Sequence, residues 1–95
     1  MPTATIDLAS GTGSTTLVTT GAGEMFWCDE LTITAGAAGA FEILSGSTSL
    51  TGEINAVVGG QYTYFGLNGR AVGEDLILSR IDAMEVGGSY KYRVK

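Results

Sequence analysis

Histidine is absent from this 95-residue chain, cysteine and proline occur once each, and no lysine or arginine appears before Arg70. Each absence closes a class of function. Without histidine, neither a Ser-His-Asp nor a Cys-His arrangement can be assembled, and a typical zinc site is excluded. The lone Cys28 has no partner for an internal disulfide. It sits in an apolar run, which predicts a small buried hydrophobe rather than a reactive thiol. No apolar run reaches the roughly 20 residues needed to cross a bilayer, so no membrane partner is expected. The start, Met1-Pro2-Thr3-Ala4, lacks the basic residues and apolar core of a signal peptide. The chain is therefore expected to be made in a cytoplasm and to stay soluble there or enter an assembly from it.

Charge is also scarce. Charged residues make up 16% of the chain, against roughly 25% in ordinary soluble domains. The surface must then be built largely from Thr, Ser, Gly, Ala and some apolar side chains. Such a surface suits either a sturdy domain with a neutral exterior or one that neighbours cover, and the second reading is preferred. The charges are segregated. Asp7, Glu24, Asp29, Glu30, Glu42 and Glu53 make the first 69 residues −6. The five bases and four acids from Arg70 onward make the rest +1, giving −5 in all. An acidic chain repels phosphate backbones, so nucleic acid is not an expected partner.

What is present reads as β structure. Thr3 to Ala9 alternates Thr3, Thr5 and Asp7 against Ala4, Ile6 and Leu8. Ser10 to Ser14 reads as a flexible loop, and Thr15 to Thr20 as a second, β-branched strand. Glu24 to Thr34 is the longest strand candidate, and its parity changes midway. Leu31 and Ile33 share an inner face that, projected back without interruption, would hold Asp29. A β-bulge at Asp29-Glu30 resolves this by turning Phe26 and Cys28 inward and Met25 and Trp27 outward. The competing reading keeps Trp27 in the core, as for most tryptophans.

Ala40 to Leu44 and Leu50 to Val58 read as further strands. Gln61 to Leu67 has Tyr62 and Tyr64 on one face and Phe65 on the other, and Asn68-Gly69 is a strong turn. In the closing stretch from Glu74 to Lys95, two strand-like runs flank a turn at Ala83 to Gly88. Tyr90, Tyr92 and Val94 alternate with Lys91, Arg93 and Lys95, the period-2 pattern of a half-buried strand. No window supports a helix. The expectation is one all-β domain over residues 1–95, a sandwich, jelly roll or barrel of about eight short antiparallel strands.

Little chemistry is legible. Gly11-Thr12-Gly13-Ser14-Thr15 has neither the lysine nor the helix of a phosphate loop. Asp29-Glu30 and Glu74-Asp75 are adjacent pairs whose members point to opposite faces of a strand, so neither is an acid–base couple. Loop carboxylates without ligand spacing do not specify a calcium site. No cofactor and no catalysis are expected. Trp27 and the Tyr62/Tyr64 face leave a sugar-stacking role open. The outward set Met25, Trp27, Lys91, Arg93 and Lys95 is the candidate interface, its basic members suited to an acidic partner.

The order of features from Glu24 to Val94 resembles the small β-sandwich decoration, or cement, proteins on the heads of tailed bacteriophages. The pieces are Phe26 to Thr34, Phe41-Glu-Ile-Leu-Ser-Gly46, Leu50-Thr51-Gly52, the aromatic strand with its turn, Gly73-Glu-Asp-Leu-Ile-Leu78, and Val86-Gly87-Gly88-Ser89-Tyr90-Lys91-Tyr92. They cover about three quarters of the chain, and each is short. The resemblance implies a jelly-roll-like sandwich, assembly as trimers or other symmetric clusters on the major capsid protein, location on the capsid surface, and no catalytic residues to transfer. Residues 1–13 fall outside it and fit either an arm that orders on a neighbour or an ordinary edge strand. Similar sandwiches also serve as carbohydrate- or receptor-binding modules of tails and fibres, and that alternative is retained.

Overall fold

The closing stretch is a single strand of nineteen residues, not two runs about a turn. The computed structural model describes residues 3–95, which form seven strands and no helix: β1 (Thr3–Val18), β2 (Phe26–Ala35), β3 (Gly39–Ser45), β4 (Thr48–Ser49), β5 (Ile54–Ala56), β6 (Gln61–Asn68) and β7 (Leu76–Val94). β7 is the axis of the fold. Along one edge it pairs antiparallel with β1 over nearly its whole length, from Leu76↔Val18 to Lys91↔Thr3. Along the other it pairs first with β3, from Leu76↔Ser45 to Arg80↔Phe41, and then with β2, from Val86↔Ala35 to Val94↔Phe26.

That change of neighbour curls the sheet. β3, extended by β4 and β5, covers one side of the core, and β2, extended by β6, covers the other. Side chains meet across the interior. The Phe41 and Tyr62 rings lie edge to face with centroids 5.8 Å apart, and the Tyr90 hydroxyl donates to the carbonyl of Leu17. The fold is all-β, antiparallel and sandwich-like, around a core that includes Phe26, Leu31, Ile33, Phe41, Ile43 and Leu78, all fully buried.

The expected breaks at Ser10–Ser14 and Ala83–Gly88 are bends within strands, and with the short β4 added seven strands replace about eight. β1 slips register between Leu8 and Gly11 and again between Gly11 and Gly13, where β7 changes partner. Bulges let a strand turn a corner without ending. Arg80 holds this corner. Its Nη1 donates to the carbonyls of Ala9 at 2.6 Å and Met84 at 2.8 Å. Gly87-Gly88 is a place of close approach rather than a turn. Gly88 has φ +143°, and a Cβ there would drive into the carbonyl oxygen of Thr32 on β2. Thr3 to Gly13 runs along β7 as an edge strand, while Met1 and Pro2 lie outside the described residues.

The expected bulge in β2 is present. Cys28 pairs with Tyr92 and Glu30 with Lys91, so Asp29 is the extra residue. Phe26, Cys28, Leu31 and Ile33 are buried, and Trp27 is half-buried on the outer face. The run read as Leu50 to Val58 is mostly loop. Gly52 at φ +73° breaks it, and only Ile54–Ala56 pairs, against β3.

Candidate functional site

The candidate interface residues converge at one end of the outer face of β2 and β7. Met25 and Lys95 exchange backbone hydrogen bonds of 3.0 and 2.7 Å. Trp27 is the register partner of Arg93 on one side and Asn68 on the other. Lys91 stands opposite Glu30. The pleat separates the two sets as expected: Tyr90, Tyr92 and Val94 pack on the core, and Lys91 and Lys95 are exposed.

Part of the positive charge of this end is met from within the chain. Arg93 forms a two-pronged pair with Asp29, Nε to Oδ2 at 3.2 Å and Nη2 to Oδ1 at 3.1 Å. The bulge that turns Cys28 inward thus also delivers a carboxylate to the guanidinium. With Glu30 beside Lys91, three positive charges stand against two negative ones, a local excess of +1. Of the three basic side chains, Lys91 and Lys95 stand exposed, and Arg93 is shared with Asp29.

The other sequence candidates have structural partners. Glu74 accepts from the buried Ser45 hydroxyl at 2.7 Å, and Ser45 Oγ accepts from the amide of Arg70 at 2.9 Å. Asp75 accepts from the Thr20 amide at 2.8 Å and hydroxyl at 3.2 Å. Among the described residues no cluster of three or more His, Cys, Asp or Glu could hold a metal ion. Tyr62 and Tyr64 pack against the core, and the Tyr62 hydroxyl accepts the Val57 amide at 3.0 Å, so this pair offers no open stacking platform. Cys28 is fully buried. Burial first, then the charge of Asp29, pushes its thiol from the ordinary 9.0 to about 11, which leaves it protonated and unreactive at neutral pH.

A second surface escaped the sequence reading. Of the five large apolar side chains that stand exposed among the described residues, four lie on or beside β6: Val57, Val58, Phe65 and Val72. Phe65 is 72% exposed. β6 pairs with β2 alone, so the backbone groups of its far edge have no strand partner among the described residues. Beside the second half of that edge lies an open depression of about 370 Å³, lined by Leu50 and the stretch Gly66 to Arg70. The signal for this surface was in the sequence: Ile54 to Gly69 carries no charge at all.

Comparison of the chain with protein-family models, with curated proteins and with solved structures gives no match.

Proposed function

We propose that this chain is a non-enzymatic structural protein of a bacteriophage head, which binds the outer surface of the major capsid protein shell as a symmetric homo-oligomer. The observation that carries the reading is the charge-free, partly apolar band from Ile54 to Gly69, which includes the exposed Phe65. On a domain with 16% charged residues, such a band is a surface for association. The resemblance to decoration proteins supplies the capsid, the location and the expectation of trimers. Many weak contacts on a lattice suffice for cementing, because each copy bound raises the effective concentration of the next contact.

The test is stoichiometry. Heads purified from the encoding phage should carry the protein in a fixed ratio to the shell subunit, and stripped heads should take it up again. Heads that carry none and take up none overturn the proposal.

A carbohydrate- or receptor-binding module is the second reading. It rests on Trp27, a half-exposed indole flanked by Asn68 and Arg93, since aromatic and polar groups side by side suit a sugar ring. Glycan-array binding that is lost in Trp27→Ala, together with absence from heads, would favour it.

A further inference from the structure

We propose that the open edge of β6 is a two-fold interface at which a second copy of this chain pairs its own β6. The inference rests on reading the Ile54–Gly69 band as an assembly surface and is independent of the capsid.

An unpaired strand edge presents a row of N–H and C=O groups that another strand edge satisfies, and natural proteins that stay monomeric blunt such edges with lysine, proline, bulges or cover. β6 has none of these. Its eight residues, Gln61-Tyr-Thr-Tyr-Phe-Gly-Leu-Asn68, contain no charge and no proline. Its register against β2 does not shift from Trp27↔Asn68 to Thr34↔Gln61, and pairing is continuous from Gln61 to Phe65, so that part of the outer edge is regular.

Two observations select a second copy as the occupant. The first is charge. Identical chains of net charge −5 repel one another over most of their surface, and the uncharged band is where that repulsion is least. A partner chosen by opposite charge would find nothing to recognise on β6. The second is register. In an antiparallel pair, opposed residues point to the same face, and a two-fold axis through Thr63 sets Tyr62 against Tyr64 and Gln61 against Phe65. Tyr62 and Tyr64 both pack toward the core, while Gln61, Thr63 and Phe65 are all exposed. Inward residues thus meet inward ones, and each exposed Phe65 is covered by the neighbouring strand. Gly66 at φ +68° ends the regular stretch. An interface of this symmetry joins copies in pairs, so where trimers form it links one trimer to the next.

Cysteine trapping tests the register directly, because the buried Cys28 takes no part. Cα atoms facing one another across an antiparallel pair lie about 4.5–5.5 Å apart, within disulfide reach. Thr63→Cys should therefore form an intermolecular disulfide under mild oxidation, and Thr48→Cys, on the exposed β4, should not. In light scattering the wild type should show twice the 9.8 kDa chain mass as concentration rises, and Phe65→Lys should remain at the chain mass with unchanged circular dichroism. Equal trapping at positions 63 and 48, or a wild type that stays at the chain mass at every concentration, overturns the proposal. The capsid reading fails separately: dimers that never bind heads sink that reading alone, and head binding by a protein that never dimerises sinks only the edge pairing.

Discussion

Among the described residues β1 and β6 each pair with one neighbour, and they occupy that position in different ways. β1 is sixteen residues long, slips register three times along β7, bends at Gly11 and Gly13, and is held by Arg80 and by the Tyr90 hydroxyl on the Leu17 carbonyl. β6 is half as long, keeps one register throughout, and carries exposed Phe65 at its middle. A bulged edge resists further pairing, whereas an uncharged one in constant register invites it. The β1 side is bound into the fold, and the β6 side is available for assembly. Substitutions near β1 should then cost stability, and those on β6 should mainly alter association.

The largest expected contrast is between two glycines with positive φ. Gly88→Ala, between β1 and β2, adds a Cβ into the Thr32 carbonyl as well as backbone strain and should cost about 3–5 kcal/mol in urea unfolding. Gly66→Ala on β6 meets nothing within 4 Å and should cost only about 1–2 kcal/mol, the strain alone. Equal losses would show that the fold depends on β6 no less than on β1.

Removing the corner clamp comes next. Arg80→Met gives up the hydrogen bonds to Ala9 and Met84. It also removes the Nε, which is buried without a partner among the described residues, so the net cost should be about 2 kcal/mol. Hydrogen exchange should quicken in Leu8 to Gly13 and stay unchanged in β6. Faster exchange in both strands would erase the distinction.

High pH probes the interior beneath each strand. The Cys28 thiol ionises near 9.0 in the unfolded chain and near 11 in the fold. Over that interval the unfolded state loses its proton first, so stability should fall as pH rises, by at most about 1.4 kcal/mol per unit for one group. Tyr64 on β6 and Tyr90 beneath β1 are raised from 10.0, burial being the first cause in each, and they extend the fall above pH 10. In Cys28→Ala the decline between pH 9 and 10 should flatten. A decline as steep as in the wild type would place its origin elsewhere.

The smallest effect belongs to the surface pair. Asp29→Asn should cost less than about 1 kcal/mol, because the Arg93 pair is solvent-exposed. It raises the local charge of the Lys91, Arg93 and Lys95 end from +1 to +2. Binding of an acidic partner through that end should strengthen and become more salt-sensitive. A shell affinity indifferent to both charge and salt would leave β6 as the contact surface.

Part of the architecture was legible residue by residue. The Asp29 bulge followed from the poor fit of a carboxylate in a line with Leu31 and Ile33, and the alternation from Tyr90 to Val94 gave the inner and outer faces of β7. The glycine runs misled. Ser10 to Ser14 and Gly87-Gly88 have turn composition, but the same glycines also permit a bend or a close backbone approach inside a strand. The candidate site was legible as a set of outward residues, since Met25, Trp27, Lys91, Arg93 and Lys95 do gather at one end. The internal partner of Arg93 was not, because Asp29 lies 64 positions away in sequence.

By itself the sequence determined the class of structure and the limits on chemistry. Period-2 alternation is the pattern of a strand with one buried face, and a chain without histidine cannot assemble a Ser-His-Asp or Cys-His arrangement. Only the tertiary structure decided which strands are continuous, which charges are already neutralised, and which edge is left open. Those depend on what lies across the sheet from each residue. Local composition carries no record of a partner that the fold brings from the other end of the chain.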